Sequence, residues 1–246
     1  MKNLLLATML FLNIIGTPVE ASVQNFTPKN PIEKINKSLS SIEKNVRGAA
    51  VKVVSPGGGH GSGSLIKYKD LTLVLTARHV AKHPLGTNYL ISKNNENVMA
   101  KLMYQNDTAD IAILILTESF RDRSIKPMLW DPTKSYDVGK TIVYSGFPSS
   151  HQLMSFDGRI AGYEVDSLGN THLIVNTYGW FGCSGSVMYD EKGKIIGILY
   201  GVDVEYYPGI QINENMIWVA PIKNIDIKEV IKPLCRGHVH NYKACQ

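Results

Sequence analysis

The feature that most limits what this chain can become is a succession of short β-branched runs, each closed by turn residues, from Ala49 to Ala220. Val, Ile, Thr and Tyr suit a pleated, half-buried surface, and Gly, Pro, Asn and Asp interrupt them at spacings too short for ordinary helices. The spacing predicts strands over 49–54, 63–67, 72–76, 89–91, 98–104 and 111–115, and a second group over 141–146, 154–159, 160–165, 171–176, 186–189 with 194–200, and 216–220. Turns are marked by Gly146-Phe-Pro148, Asp157-Gly158, Leu168-Gly-Asn170, Asp190 to Gly193 and Tyr207-Pro-Gly209, and the stretch from Glu118 to Ser135 crosses between the groups. With 246 residues, 44% of them hydrophobic, the chain has enough apolar material for one domain or two small ones.

Helical signals stand only at the ends. Asn30-Pro31-Ile32-Glu33 combines an N-cap, a proline at the first helical position and an early acid. Ile32, Ile35, Leu39, Ile42 and Val46 then form one stripe of an amphipathic helix expected on the outside of the body; a cleavable propeptide is the alternative for residues 22–46. Asn224 to Lys232 reads as a closing helix with Ile227, Val230 and Ile231 inward.

Residues 1–21 read as a secretory signal: Lys2, an apolar run from Leu4 to Ile15, and small residues suiting cleavage after Ala21. The run is short for a membrane span, with a retained anchor as the alternative. Removal would leave a secreted or periplasmic protein without a stable membrane span. The net charge of +5 is scattered rather than gathered in a basic stripe with exposed aromatics, so nucleic acid is not an expected partner.

The chemistry concentrates in Gly179 to Tyr189, GWFGCSGSVMY. A serine hydroxyl becomes a useful nucleophile only on a tight turn, within reach of a base, with N–H groups aimed where the carbonyl oxygen turns negative. Gly182-Cys183-Ser184-Gly185-Ser186 has small residues on both sides of Ser184, whereas Cys183 has Phe181 two places before it. Upstream stand Gly61-Ser-Gly-Ser-Leu-Ile66, Leu75-Thr-Ala-Arg-His-Val80 and Asp107-Thr-Ala-Asp-Ile-Ala-Ile-Leu114. Together, in the order His, Asp, Ser, these stretches resemble the chymotrypsin-like serine peptidase superfamily over about residues 46–232. Val138 to Pro148 and Ser186 to Ile198 look most like the bacterial branch holding the glutamyl endopeptidases and the catalytic domain of HtrA-type proteases.

The resemblance implies an all-β fold of two six-stranded antiparallel β-barrels, the first over 47–130, the second with the closing helix over 131–232, and a tail over 233–246. It implies hydrolysis of polypeptide substrates through an acyl-enzyme, with His79 as general base, Asp110 orienting it, Ser184 as nucleophile, and the N–H groups of Gly182 and Ser184 as oxyanion hole; an inactive peptide- or partner-binding relative and an esterase are the alternatives. Asp107 competes with Asp110, which matches the family's Asp-Ile-Ala pattern. Tyr178, Leu199, Tyr200 and Gly201 would border the substrate, the last three offering main chain to an extended peptide. Glutamyl endopeptidases carry histidine where Leu199 stands, so a small or apolar side chain is expected instead of glutamate.

Two departures carry further expectations. Trypsin-branch enzymes place an aspartate before the nucleophile to pair with a new amino terminus; Cys183 stands there, so activation is expected not to need such a terminus. Cys235 and Cys245 could bridge, leave a loose tail, or join His238 and His240 in a zinc set, which no trusted spacing supports. No metal and no cofactor is expected.

Overall fold

The computed structural model describes residues 38–149, 151–206, 208–236 and 242–245. The signal segment, most of the 22–46 extension, and His238 and His240 lie outside them.

Two closed six-stranded antiparallel β-barrels make up the body. In the first, β1 (Ala50–Val54), β2 (His60–Tyr68), β3 (Leu71–Ala77), β4 (Asn88–Lys93), β5 (Glu96–Asn106) and β6 (Ile111–Leu116) run in the order β1-β4-β5-β6-β3-β2, and the β1–β2 pairing closes the ring. Leu73, Leu75, Ile91, Leu102, Ile111 and Ile113 are buried inside it. Each such side chain withdrawn from water stabilises the fold by about 1.5–3 kcal/mol. A strand absent from the sequence expectation, β7 (Met128–Leu129), lies parallel to β2 on the crossing segment.

The second barrel closes through β8 (Thr141–Gly146), β9 (Met154–Val165), β10 (Thr171–Asn176), β11 (Val187–Asp190), β12 (Ile195–Glu205) and β13 (Gln211–Pro221). Its strands depart from expectation at two places. Residues 154–165 are one strand rather than two, because Asp157-Gly158 is not a turn. Gly158 pairs with Ile142, and a Cβ there would lie 2.3 Å from the Asn176 carbonyl, so this glycine serves close packing of backbones. The other is the length of β12 and β13, which run on to Glu205 and start back at Gln211, past the expected 194–200 and 216–220, while the expected Asp190 turn stands between β11 and β12, its carboxylate accepting from the N–H groups of Lys192 and Lys194.

The first described helix, α1 (Ser41–Ala49), carries Ile42 and Val46 of the stripe and has Ser40 as its N-cap. Ser40 Oγ accepts from Glu43 N–H while the Glu43 carboxylate accepts from Ser40 N–H at 2.7 Å. This reciprocal Ser-x-x-Glu box fixes a helix start at Ser40 even though apolar periodicity runs through it. The predicted N-cap Asn30 lies outside the described residues. At the other end of α1, the buried Lys93 Nζ donates to the carbonyls of Arg47 and Ala50, both at 2.6 Å, tying the helix exit to β4.

The closing helix, α2 (Ile227–Arg236), reaches back: Ile227, Val230 and Ile231 join the apolar cluster of the first barrel. Cys235, in its last turn, forms a disulfide with Cys245. Among the described residues no helix is long and apolar enough to cross a membrane.

Candidate active site

His79 follows the end of β3 and Asp110 immediately precedes β6, two strands that pair with each other. Ala77 pairs with Ile111, so the residues just beyond them meet at one rim of the first barrel. His79 Nδ1 lies 2.6 Å from Asp110 Oδ2, and the His79 N–H donates to Asp110 Oδ1 at 2.8 Å. Both carboxylate oxygens are therefore spent on one residue. A carboxylate at Nδ1 keeps the proton there, which leaves Nε2 with its lone pair facing outward. Asp110 takes this position with a φ of +51°, and its carbonyl is held by the Arg78 N–H. The competing Asp107 is three-quarters exposed and pairs with Arg78 Nε at 2.5 Å instead.

Ser184 sits in the connection between β10 and β11, on the second barrel. Hydrogen bonds fasten every carbonyl from Trp180 to Ser184. Trp180 accepts from Cys183 N–H, Phe181 from Ser149 N–H, Gly182 from Ser62 Oγ, Cys183 from Ser186 N–H, and Ser184 from Ser62 N–H. The peptide N–H groups of Gly182 and Ser184 take part in none of these bonds. In a trans peptide, N–H and C=O point in opposite directions, so fixing the Phe181 and Cys183 carbonyls turns the N–H groups of Gly182 and Ser184 the other way. Gly182 and Gly185 hold φ near +92° and +91°, and a Cβ would fall 2.3 Å from Phe147 O and 2.1 Å from Ser62 O respectively. Neither position accepts a side chain, which is the physical content of the Gly-x-Ser-Gly pattern.

His79, Ser184 and Gly182 line one cavity of about 290 Å³ between the barrels, together with His60, Lys82 and Phe181. Cys183, directly before Ser184, is fully buried in the second core, and burial pushes its thiol pKa up, which opposes thiolate formation. No carboxylate occupies that place.

The four expected substrate-bordering residues have the following surroundings. The Leu199 side chain is buried in the second core while its main chain braces the Ser184 loop, accepting from Gly185 N–H at 2.7 Å and donating to Ser186 O at 2.9 Å. The Tyr200 hydroxyl bonds His172 Nδ1 at 2.8 Å, and His172 Nε2 in turn meets Asp166 Oδ2 at 3.3 Å. Tyr178 stacks on Phe156, which stacks on Tyr144, and the Tyr144 hydroxyl donates to the Tyr178 carbonyl. From Gly201 onward β12 pairs with β13 alone, since β11 follows it only as far as Ile198. None of these four lines the cavity that holds His79 and Ser184.

The contribution of Ser62 was not anticipated. It lies between two glycines in Gly61-Ser-Gly and bonds the Ser184 loop at two carbonyls while its Oγ accepts from Phe147 N–H at 2.9 Å. The flanking glycines were the available signal, since a Cβ at Gly61 would fall 2.8 Å from the Ser184 carbonyl. Among the described residues no group of three or more His, Cys, Asp or Glu side chains is placed to hold a metal ion.

A pair of antiparallel barrels with an imidazole, a carboxylate and a serine loop gathered at their junction defines the chymotrypsin-like class. The chain belongs to the trypsin-like peptidase domain family, whose model matches residues 61–198, more than half of it. The structure is similar to that of the Rv3671c protease of M. tuberculosis in its active form, with a TM-score of 0.59 and 17% identity over 83% of this chain and 88% of that one. An inactive form of Rv3671c from M. tuberculosis H37Rv gives 0.60 and 14% over 81% and 93%. A serine endoprotease from Yersinia pestis gives 0.59 and 18% over 79% and 68%. No curated protein matches the chain in sequence.

Proposed function

We propose that this chain is an exported serine endopeptidase that cleaves polypeptides through an acyl-enzyme, with His79, Asp110 and Ser184 as its catalytic residues. The observation that carries the reading is the cavity shared by Ser184 and His79, with the imidazole already committed through Nδ1 to Asp110. In this reading His79 Nε2 takes the hydroxyl proton as Ser184 Oγ attacks the peptide carbonyl. The oxyanion is met by the N–H groups of Gly182 and Ser184, which the loop's fastened carbonyls turn outward. The imidazolium, stabilised by Asp110, then protonates the departing amine, and water repeats the sequence to free the enzyme.

The unpaired edge of β12 from Gly201 onward would receive the acyl side of an extended substrate by strand addition. With tyrosine at 178, and leucine rather than histidine or an acid at 199, this reading carries a small or apolar residue before the cut. Export rests on the signal-like residues 1–21, and the buried Cys183 supports activity that needs no new amino terminus.

The test is labelling of the full chain by a fluorophosphonate probe. Wild type is expected to be labelled at Ser184 and Ser184→Ala not at all. A wild type that binds peptides without being labelled would turn the reading into that of a binding relative.

A further inference from the structure

The cavity beside Ser184 has an uneven charge. Lys82 is exposed three residues after His79, His60 opens β2, and His79 itself forms the wall between them. No Asp or Glu is among its lining residues, and Asp110, the nearest acid by position, is engaged on both oxygens by His79. Lys82 makes no ion pair with any described residue. His60 Nε2 lies 3.3 Å from the Phe147 carbonyl, which can only accept, so that nitrogen carries a hydrogen. A second cation, Lys52, stands over the Phe147 ring at 5.2 Å. Opposite, a Cβ on Gly58 or Gly59 would meet nothing within 4 Å, so the glycine loop leaves open room.

The side of the bond that this cavity serves follows from two constraints, both resting on the peptidase reading above. The acyl half of the substrate takes the free edge of β12, which does not line the cavity. The leaving amine must stay within reach of His79, and Val80, directly after it, and Lys82, three residues on, line the same cavity. The chain departing from the cut therefore runs past Lys82. A field of one sign in a recess with low-dielectric walls acts on charged substrates more strongly than the same charges on open surface.

We propose that the enzyme selects substrates with an acidic residue immediately after the scissile bond, and that Lys82 is the residue that reads it. The full chain would digest a peptide library of random sequence at low salt, with cut positions read by mass spectrometry. Wild type is expected to show Asp and Glu over Lys and Arg after the cut by about fivefold, the scale of one exposed ion pair. The ratio should shrink toward unity in 0.5 M salt, because screening shortens the reach of charge. Lys82→Glu is expected to reverse it. An acid-to-base ratio near unity in wild type, or one that neither salt nor Lys82→Glu moves, overturns the inference while leaving the peptidase reading intact. Failure of wild type both to cut the library and to take the fluorophosphonate overturns both.

Discussion

Asp110 occupies a left-handed backbone conformation that few residues other than glycine and asparagine-like ones accept cheaply, and it is held there by three bonds, one from Arg78 and two from His79. Its acidity matters as much as its position, since only an acceptor at Nδ1 leaves Nε2 able to take a proton. Asp110→Asn would keep the shape and offer an amide donor to Nδ1, favouring the wrong tautomer. The expected result is a folded protein whose kcat/KM falls by about 10³- to 10⁴-fold. A loss below tenfold would remove Asp110 from the proposed machinery. At this scale the sequence offered both Asp107 and Asp110. Three positions separate them, and only the fold sends one to Arg78 and the other to His79.

Among the elements, α1 shows a local Ser40–Glu43 box setting a helix start inside an apolar stripe. Its exit depends on Lys93, whose pKa is lowered to about 7 mainly by burial, then by the nearby Arg47 charge, with Asp122 opposing weakly. The folded value lies below the ordinary lysine value of 10.5. Between the two the unfolded chain binds the extra proton, so this group's contribution to stability rises with pH from about 7 toward 10.5 and is lost as pH falls through 7. Lys93→Met should therefore flatten the difference in urea midpoint between pH 7 and pH 9 relative to wild type. An unchanged difference would mean that Lys93 stays charged in the folded protein. Nothing local to Lys93 distinguishes it from the other lysines of the chain. Its burial under the helix end is a tertiary fact.

At the scale of the whole molecule, the two barrels are joined where chemistry would occur. Ser62 of β2 donates twice to the loop that carries Ser184 and accepts from Phe147 N–H, just beyond β8, so one barrel sets the shape of the other's Ser184 turn. Ser62→Ala would strip the Gly182 carbonyl and the Phe147 N–H of a partner each, an expected cost of about 1–3 kcal/mol for each buried group left unpaired. Because that loop also aims the two N–H groups, the rate of fluorophosphonate labelling should fall by about ten- to a hundredfold, the penalty of a small misplacement. A variant that is destabilised but labelled at the wild-type rate would separate the junction from catalysis.

The sequence by itself determined the β class, the grouping of strands into two sets, and the three motifs that carry His79, Asp110 and Ser184, because alternation, turn chemistry and tight glycine turns are local demands written residue by residue. It also displayed Gly182 and Gly185, whose missing side chains a packed loop requires. What only the tertiary structure decided depends on partners distant along the chain: the pairing of Asp110 rather than Asp107 with His79, the burial of Lys93, the return of α2 to the first barrel, the hold of Ser62 on the Ser184 loop, and the withdrawal of Leu199 into the core. Hydrogen bonds and burial are settled by which surfaces meet, and a linear pattern cannot say which of two chemically equal neighbours will face the other barrel.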